Sequence, residues 1–564
     1  MKDSAFHIED KQSENVVRQR LNSTAQLANE EEKALSTIEC VKAYPKAIFW
    51  CLMVSMCVIM EGYDTILIGN FYAFPQFARK YGHYVGGSNP DNAYQLTAPW
   101  QAGLSNASGI GAFFGALLCG YLVGKFGQIR VITSSLVVLS ALLFIVFFAP
   151  NIETLFVGEF LCGFPWGIFA TVAPAYASEV VPLSLRVYLT SYTNMCFIIG
   201  QLIAAGVLAG LLNVDNQWGY RVPFAIQWFW PVVLTPILLF APESPWHLVR
   251  NGRLEDAKKS ILRLQSKHTN VDPEQTLATI IHTNQLEEEL SVGTSYWDCF
   301  KSFERRRTEI ACFVFAGQIL SGLSFAYNST YFFQQVGLSS KETYNLNVGG
   351  TGMALAGTFI SWFAIMPYFG RRTIYLWGMF TMGVILFIIG ILNTHTNIPS
   401  VGLTQSSLCL VWTFVFQLSV GQLGWALPAE VGSTRLRQKT VCLARNTYYI
   451  ASVISNVLQP YFMNPTEWNL KGYTGFFWGG TAFITFVWAF FRLPETKGRP
   501  YEEIDKLFAK RIPARKFKYT DADAFDETDN DQLKARYSVS AGRNNSVVPI
   551  GEVSRMMQEK NGEA

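Results

Sequence analysis

Four charged side chains stand inside otherwise apolar stretches of this chain: Glu61, Asp64, Glu159 and Arg445. A charge facing lipid is expensive, so each should face a cavity or a partner. Glu61 and Asp64 are spaced i, i+3 and share one helix face. Counted from residue 46, they lie about 22 and 27 Å along their helix. Glu159 falls at comparable depth on another helix. Three carboxylates at one level cannot all stay ionised cheaply, which suits reversible protonation at Asp64 foremost, with Glu61 and Glu159 beside it. The same acids could instead hydrogen-bond a polar solute or brace helices. Arg445 lies only about 8 Å inside its end of the helix and is expected in an inner gate or the lower cavity.

The elements that must carry these charges are membrane helices. Of 564 residues, 50% are hydrophobic and only 15% charged, against about 25% charged in an average soluble protein. Mean hydropathy is +0.19 despite polar ends. Disorder, nucleic-acid binding and an ordinary cytosolic enzyme are excluded as leading readings. Twelve apolar runs near the 20-residue span length are predicted at about 46–70, 100–124, 131–149, 152–175, 188–212, 222–241, 308–336, 344–368, 373–393, 403–428, 440–463 and 472–492. The polar stretch 242–307 divides them into two sixes, and its segment Arg253–Gln265 alternates at helical period, predicting a helix on the membrane's inner surface. Lysine and arginine crowd the loops on one side, including Lys125, Arg130, Arg186, Arg371, Arg372, Arg435, Arg437 and Lys439. By the positive-inside rule both termini are cytosolic. No cleavable signal peptide is expected. Eight of the ten cysteines fall within apolar runs without metal-ligand spacing, so no metal site or cofactor is predicted.

The two sixes echo each other. Ser178–Arg186 recurs at Ala429–Arg437, Gly127 before Arg130 at Gly370-Arg371-Arg372, and Pro242-Glu243-Ser244 at Pro494-Glu495-Thr496. The offsets are nearly constant, as a duplicated six-helix unit requires. The expected fold is therefore all-α: twelve transmembrane helices in two pseudo-symmetric six-helix bundles. The expected boundaries are 1–45 for a cytosolic tail, 46–241 for the first bundle and 242–307 for a cytosolic linker with amphipathic helices. The second bundle takes 308–492 and a cytosolic tail 493–564.

Here the sequence resembles the sugar-porter branch of the major facilitator superfamily over roughly residues 46–508. The marks are Pro174-x-Tyr176-x-Ser178-Glu179-x-x-Pro182-x-x-Leu185-Arg186, Pro242-Glu243-Ser244-Pro245, and Pro494-Glu495-Thr496-Lys497-Gly498-Arg499 with Glu502-Glu503-Ile504-Asp505. Glu61-Gly62-Tyr63-Asp64, Cys162-Gly163-x-Pro165-Trp166-Gly167 and Leu443-Ala444-Arg445-Asn446 look like the fungal α-glucoside (maltose-type) permeases. The resemblance implies a secondary active transporter in a fungal plasma membrane, importing a sugar such as maltose by proton symport and alternating access. It also implies sugar, proton and bilayer as partners, with ubiquitin machinery acting on the tails. The alternatives are a proton-independent facilitator, a carrier of another polyhydroxylated metabolite, or a non-transporting sensor. No catalytic constellation suggests an enzyme.

In the resembled family, the aspartate matching Asp64 is the protonatable residue of the symporters, while Glu159 stands where an arginine is usual. Residues matching Gln201, Gln318 and Trp425 bind sugar; Ile319 and Ser324 replace a glutamine and an asparagine. Polyols need amide donors and acceptors and an aromatic face, so Asn194, Ser321, Asn328 and Asn446 join the expected sugar site. An amide that only glues helices is the alternative. The gate is expected from carboxylates at helix ends beside arginine-bearing loops: Glu179, Arg186, Arg130 and Glu243 in the first half, with Arg371, Arg372, Glu430, Arg437, Arg445 and Glu495 in the second. Their charge-assisted pairs would hold the inner side shut.

Overall fold

The computed structural model describes residues 37–72, 74–84, 94–212, 214–266, 273–289, 295–301, 304–327, 329–335, 340–395, 399–433, 436–463, 468 and 470–520. Among them, ten helices are long and apolar enough to cross a membrane. The other two spans are present but altered for local reasons. The sixth is broken into Trp218–Ile226 and Phe229–Leu238, with Pro223 and Pro236 inside the pieces; proline removes a backbone donor and crowds the preceding turn. The eleventh, Arg437–Met463, is 27 residues long but carries Arg437, Lys439, Arg445 and Asn446. Together these form the twelve-helix, two-bundle fold.

In the first bundle span 1 is Pro45–Ser55 with Val58–Phe71, span 2 Ala98–Phe126 and span 3 Gln128–Phe147. Spans 4 and 5 are Ile152–Val180 and Leu183–Leu211. In the second bundle span 7 begins as Glu304–Leu320 and resumes at Leu323–Tyr327, broken at Gly322, whose φ is +99°. Span 8 is Ser340–Ile360, span 9 Arg371–Leu392 and span 12 Thr474–Arg492. Span 10 runs Pro399–Leu418 and Val420–Val431, interrupted at Ser419. The only sheet among the described residues is a two-stranded ribbon, His83–Tyr84 against Tyr94–Gln95.

Glycines let helices touch at the backbone. A β-carbon on Gly62 would stand 2.1 Å from the Phe197 carbonyl oxygen, and one on Gly163 2.3 Å from that of Ser108. Spans 1 with 5 and 2 with 4 are thereby drawn together within the first bundle. The bundles meet along spans 2 and 11 and along spans 5 and 8.

The echoed motifs have one structural meaning. Glu243 accepts hydrogen bonds from the N–H groups of Gln128 (2.8 Å) and Ile129 (3.2 Å) at the start of span 3. Glu495 accepts from Arg371 N–H (2.8 Å) at the start of span 9. Each carboxylate thus caps orphan amides at a helix N-terminus, where the dipole also favours it. The helix Leu254–Leu264 forms as expected, but Leu254, Ala257 and Ile261 pack on Leu248, Leu277 and Ile281 of neighbouring helices. That apolar face covers protein, because a second helix, Pro273–Glu289, shares it.

Candidate functional site

The end holding Arg130, Arg250, Arg371 and Arg437 is called the basic end below, and the opposite one the far end. Between the bundles lies a cavity lined by Glu61, Asp64, Ser105, Ser108, Trp166 and Tyr449, with about 840 Å³ of empty space counting its mouth. A second cavity of about 520 Å³ is lined by Gln201, Asn347, Trp412 and Gln417.

The four intramembrane charges form two pairs. Arg445 Nη2 lies 2.5 Å from Glu61 Oε1, across the bundles, and Tyr449 donates to the same oxygen at 3.2 Å. The guanidinium is caged by the rings of Tyr448 (4.3 Å), Trp425 (4.5 Å), Tyr449 (4.8 Å) and Phe315 (5.6 Å). Desolvated cation–π contacts of this kind are each worth up to about 2 kcal/mol. The sequence placed Arg445 in the inner gate or the lower cavity; its long side chain reaches Glu61. In the other pair Asp64 and Glu159 stand near enough to act on each other electrostatically. Gln227 donates to Asp64 Oδ1 at 3.0 Å, while neither Glu159 oxygen has a donor among the described residues. Two neighbouring carboxyls can bond to each other only when a proton lies between them.

The expected sugar ligands divide. Gln201 lines the second cavity, and its buried Nε2 has no partner among the described residues. Asn194 donates to Gln417 at 2.7 Å, tying span 5 to span 10. Gln318 donates to the Gly421 (3.0 Å) and Val420 (3.4 Å) carbonyls in the first turn after the break in span 10, tying span 7 to span 10. Ser321 bonds back to the Gln318 carbonyl at 2.7 Å. Trp425 packs on Arg445 and Phe197. Gln318, Ser321 and Trp425 line neither cavity. Asn446 is buried with neither amide atom partnered among the described residues. Asn328 lies outside the described residues. Residues missed by the sequence reading are Trp166, whose buried indole N–H lacks a partner among the described residues, Ser105 and Ser108 at i, i+3, and Tyr448, Tyr449, Ser452 and Asn456 along one face of span 11. That polar stripe on an eleventh span was the available signal. Ile319 and Ser324 both line the cavity.

At the basic end Glu179 accepts from Gln128 of its own bundle (3.0 Å) and from Ser244 (2.5 Å) and Arg250 (2.8 Å) of the linker, while Arg437 of the other half adds its charge. Burial, then the Arg250 charge, pushes the His247 imidazole down to about 4, so neutral His247 leaves Arg250 to face Glu179. The repeat-related Glu430 accepts from Thr496 at 2.6 Å and lies 3.8 Å from Arg371. Arg130 is exposed, and Arg372 donates to the Phe490 carbonyl at 2.7 Å. The clearest bridge between halves is Tyr501, whose ring is sandwiched between Arg186 and Arg437, each at 3.7 Å. At the far end Thr330 and Tyr344 bond Asn70 at 2.9 and 2.8 Å. The halves are thus bridged at both ends.

A family model described as "Sugar (and other) transporter" matches residues 50–508. The chain is 39% identical over 511 residues to the maltose permease MAL31 of Saccharomyces cerevisiae, covering 89% of this chain and 82% of that one. It is 37% identical to the general alpha-glucoside permease of the same species, covering 94% and 89%. Among solved structures, the proton:xylose symporter XylE bound to 6-bromo-6-deoxy-D-glucose superposes with a TM-score of 0.69 at 20% identity, covering 82% of this chain and 100% of that chain. XylE in a partially occluded inward-open conformation gives 0.63 at 19% identity, covering 80% and 99%.

Proposed function

Since the chain belongs to the Sugar (and other) transporter family, we propose that it imports an α-glucoside such as maltose together with a proton, by alternating access. The observation that carries this reading is the pairing of charges beside the cavity: a carboxyl pair, Asp64 with Glu159, next to an ion pair, Glu61 with Arg445. Asp64 and Glu159 hold the coupled proton between them. Arg445 neutralises Glu61, so the site gains or loses one charge as that proton comes and goes. Gln201, Trp166, Asn446 and the tyrosines of span 11 supply sugar contacts. The basic end faces the cytosol of a plasma membrane.

Sugar and proton enter with the far end open, both ends then close, and release follows when Tyr501 leaves Arg186 and Arg437. Coupling requires only that the closed state form readily with both ligands bound or with neither. A potential of ~100 mV and one pH unit together supply about 3.7 kcal/mol, concentrating sugar about 500-fold.

Uptake of labelled maltose, trehalose, cellobiose and glucose into a transport-null yeast at two external pH values tests the proposal. Maltose uptake is expected to be faster at the lower pH and to alkalinise the medium. Asp64→Asn should abolish accumulation against a gradient while leaving sugar exchange measurable. Uptake without alkalinisation would reduce the protein to a facilitator, and absence of uptake with retained sugar binding would make it a sensor.

A further inference from the structure

Away from the central cavities, a third pocket opens at the basic end, where span 12 meets the tail helix Tyr501–Ala509. It is lined by Arg306 from the start of span 7, Phe491 and Arg492 from the end of span 12, and Phe508 and Arg511 from the tail, with about 790 Å³ of empty space counting its mouth. Three guanidiniums line it and, among the described residues, one carboxylate answers them: Glu309 accepts from Nε and Nη2 of Arg492. Arg306 gives one donor to the Ile512 carbonyl at 2.6 Å and stacks on Phe508 and Phe517, leaving its buried Nε without a partner. The Arg511 guanidinium is exposed and has no partner among the described residues. Its φ of +56° closes the tail helix in the left-handed conformation that glycine ordinarily takes, so an arginine is kept where backbone geometry favours a residue without a β-carbon.

The surroundings place this pocket at a membrane interface. Phe490 and Phe491 are 40% and 59% exposed, and Arg515 lies over both rings at 4.3 and 4.9 Å. Exposed rings beside guanidiniums at the end of a span mark the depth where acyl chains give way to headgroups. From Lys506 to Tyr519 the chain carries six cations and no acid, the composition that an anionic leaflet attracts.

We infer that the pocket lined by Arg306, Arg492 and Arg511 binds the phosphate monoester of an anionic lipid headgroup, of the phosphoinositide class, in the leaflet at the basic end. Guanidinium forks match phosphate oxygens bidentately, and among the described residues two of the three charges here have no carboxylate bound to them. Free phosphate compounds share this chemistry; the exposed phenylalanines favour the lipid. The inference stands on the fold alone and survives even if the transported solute is not a sugar.

The full-length protein, in phosphatidylcholine vesicles with or without a small fraction of fluorescent phosphatidylinositol phosphate, tests this. Wild type should bind the labelled lipid saturably. Arg511→Gln should weaken binding about tenfold, the loss of one charge-assisted contact, and Arg511→Lys should recover part of it. Lys516→Gln, exposed on the same segment but outside the pocket, should change affinity by less than about twofold. Equal loss in both glutamine variants would replace the pocket with diffuse attraction and overturn the inference. So would binding no tighter than to phosphatidylcholine alone, or displacement by soluble inositol phosphate at the same concentration as the lipid. Thermal midpoints in phosphatidylcholine separate lost binding from lost folding. Should Arg511→Gln unfold, the wild-type competition decides.

Discussion

Arg445 and Glu61 stand 384 residues apart in the chain and 2.5 Å apart in space. Burying two charges is offset only by close contact and further hydrogen bonds, and removing one partner leaves the other stranded. Arg445→Met is therefore expected to lower stability by about 3–5 kcal/mol, read as the thermal midpoint of purified protein. Glu61→Gln added to Arg445→Met should restore most of that loss. If the double variant melts no higher than Arg445→Met, the two residues are not coupled. The charges themselves were legible in the sequence, because an acid or arginine inside an apolar run is rare. Their pairing was not, because it depends on helix tilt and on how far an arginine side chain reaches. Gln318 shows the converse: an amide of the right type at the right depth ties span 7 to span 10 and lines neither cavity.

At the scale of elements, spans 2 and 4 approach so closely that Gly163 has no room for a side chain. Gly163→Ala places a methyl 2.3 Å from the Ser108 carbonyl oxygen and should destabilise by about 1–3 kcal/mol. Gly206→Ala on span 5, with nothing within 4 Å, should leave the midpoint level or raise it slightly through helix propensity. Equal melting of the two variants would refute tight packing as the role of Gly163. Spacing and hydropathy reveal such helices because lipid demands about 20 apolar residues per crossing. They do not reveal where a helix breaks: Ser419 interrupts span 10 without proline or glycine at the site.

For the whole molecule, the question is what keeps the basic end shut. Tyr501 lies between two arginines that occupy equivalent places in the two halves, so one ring joins both. Two cation–π contacts worth about 0.5–2 kcal/mol each are enough to bias a two-state equilibrium. Tyr501→Ala should favour opening at this end and speed maleimide labelling of Cys442, now fully buried, by at least about fivefold. Tyr501→Phe keeps the stack and should label at nearly the wild-type rate. Unchanged labelling in the alanine variant would remove Tyr501 from the gate. The sequence by itself determined the membrane setting, the twelve spans, the duplication and the family, because each is written in local composition or in motifs that repeat along the chain. Only the tertiary structure decided that Asp64 stands beside Glu159, that Arg445 pairs with Glu61, and that Tyr501 joins the halves at the basic end. Those contacts join residues from different helices, and which side chains meet is settled by helix tilt, rotation and glycine-permitted approach, none of which leaves a local pattern in the sequence.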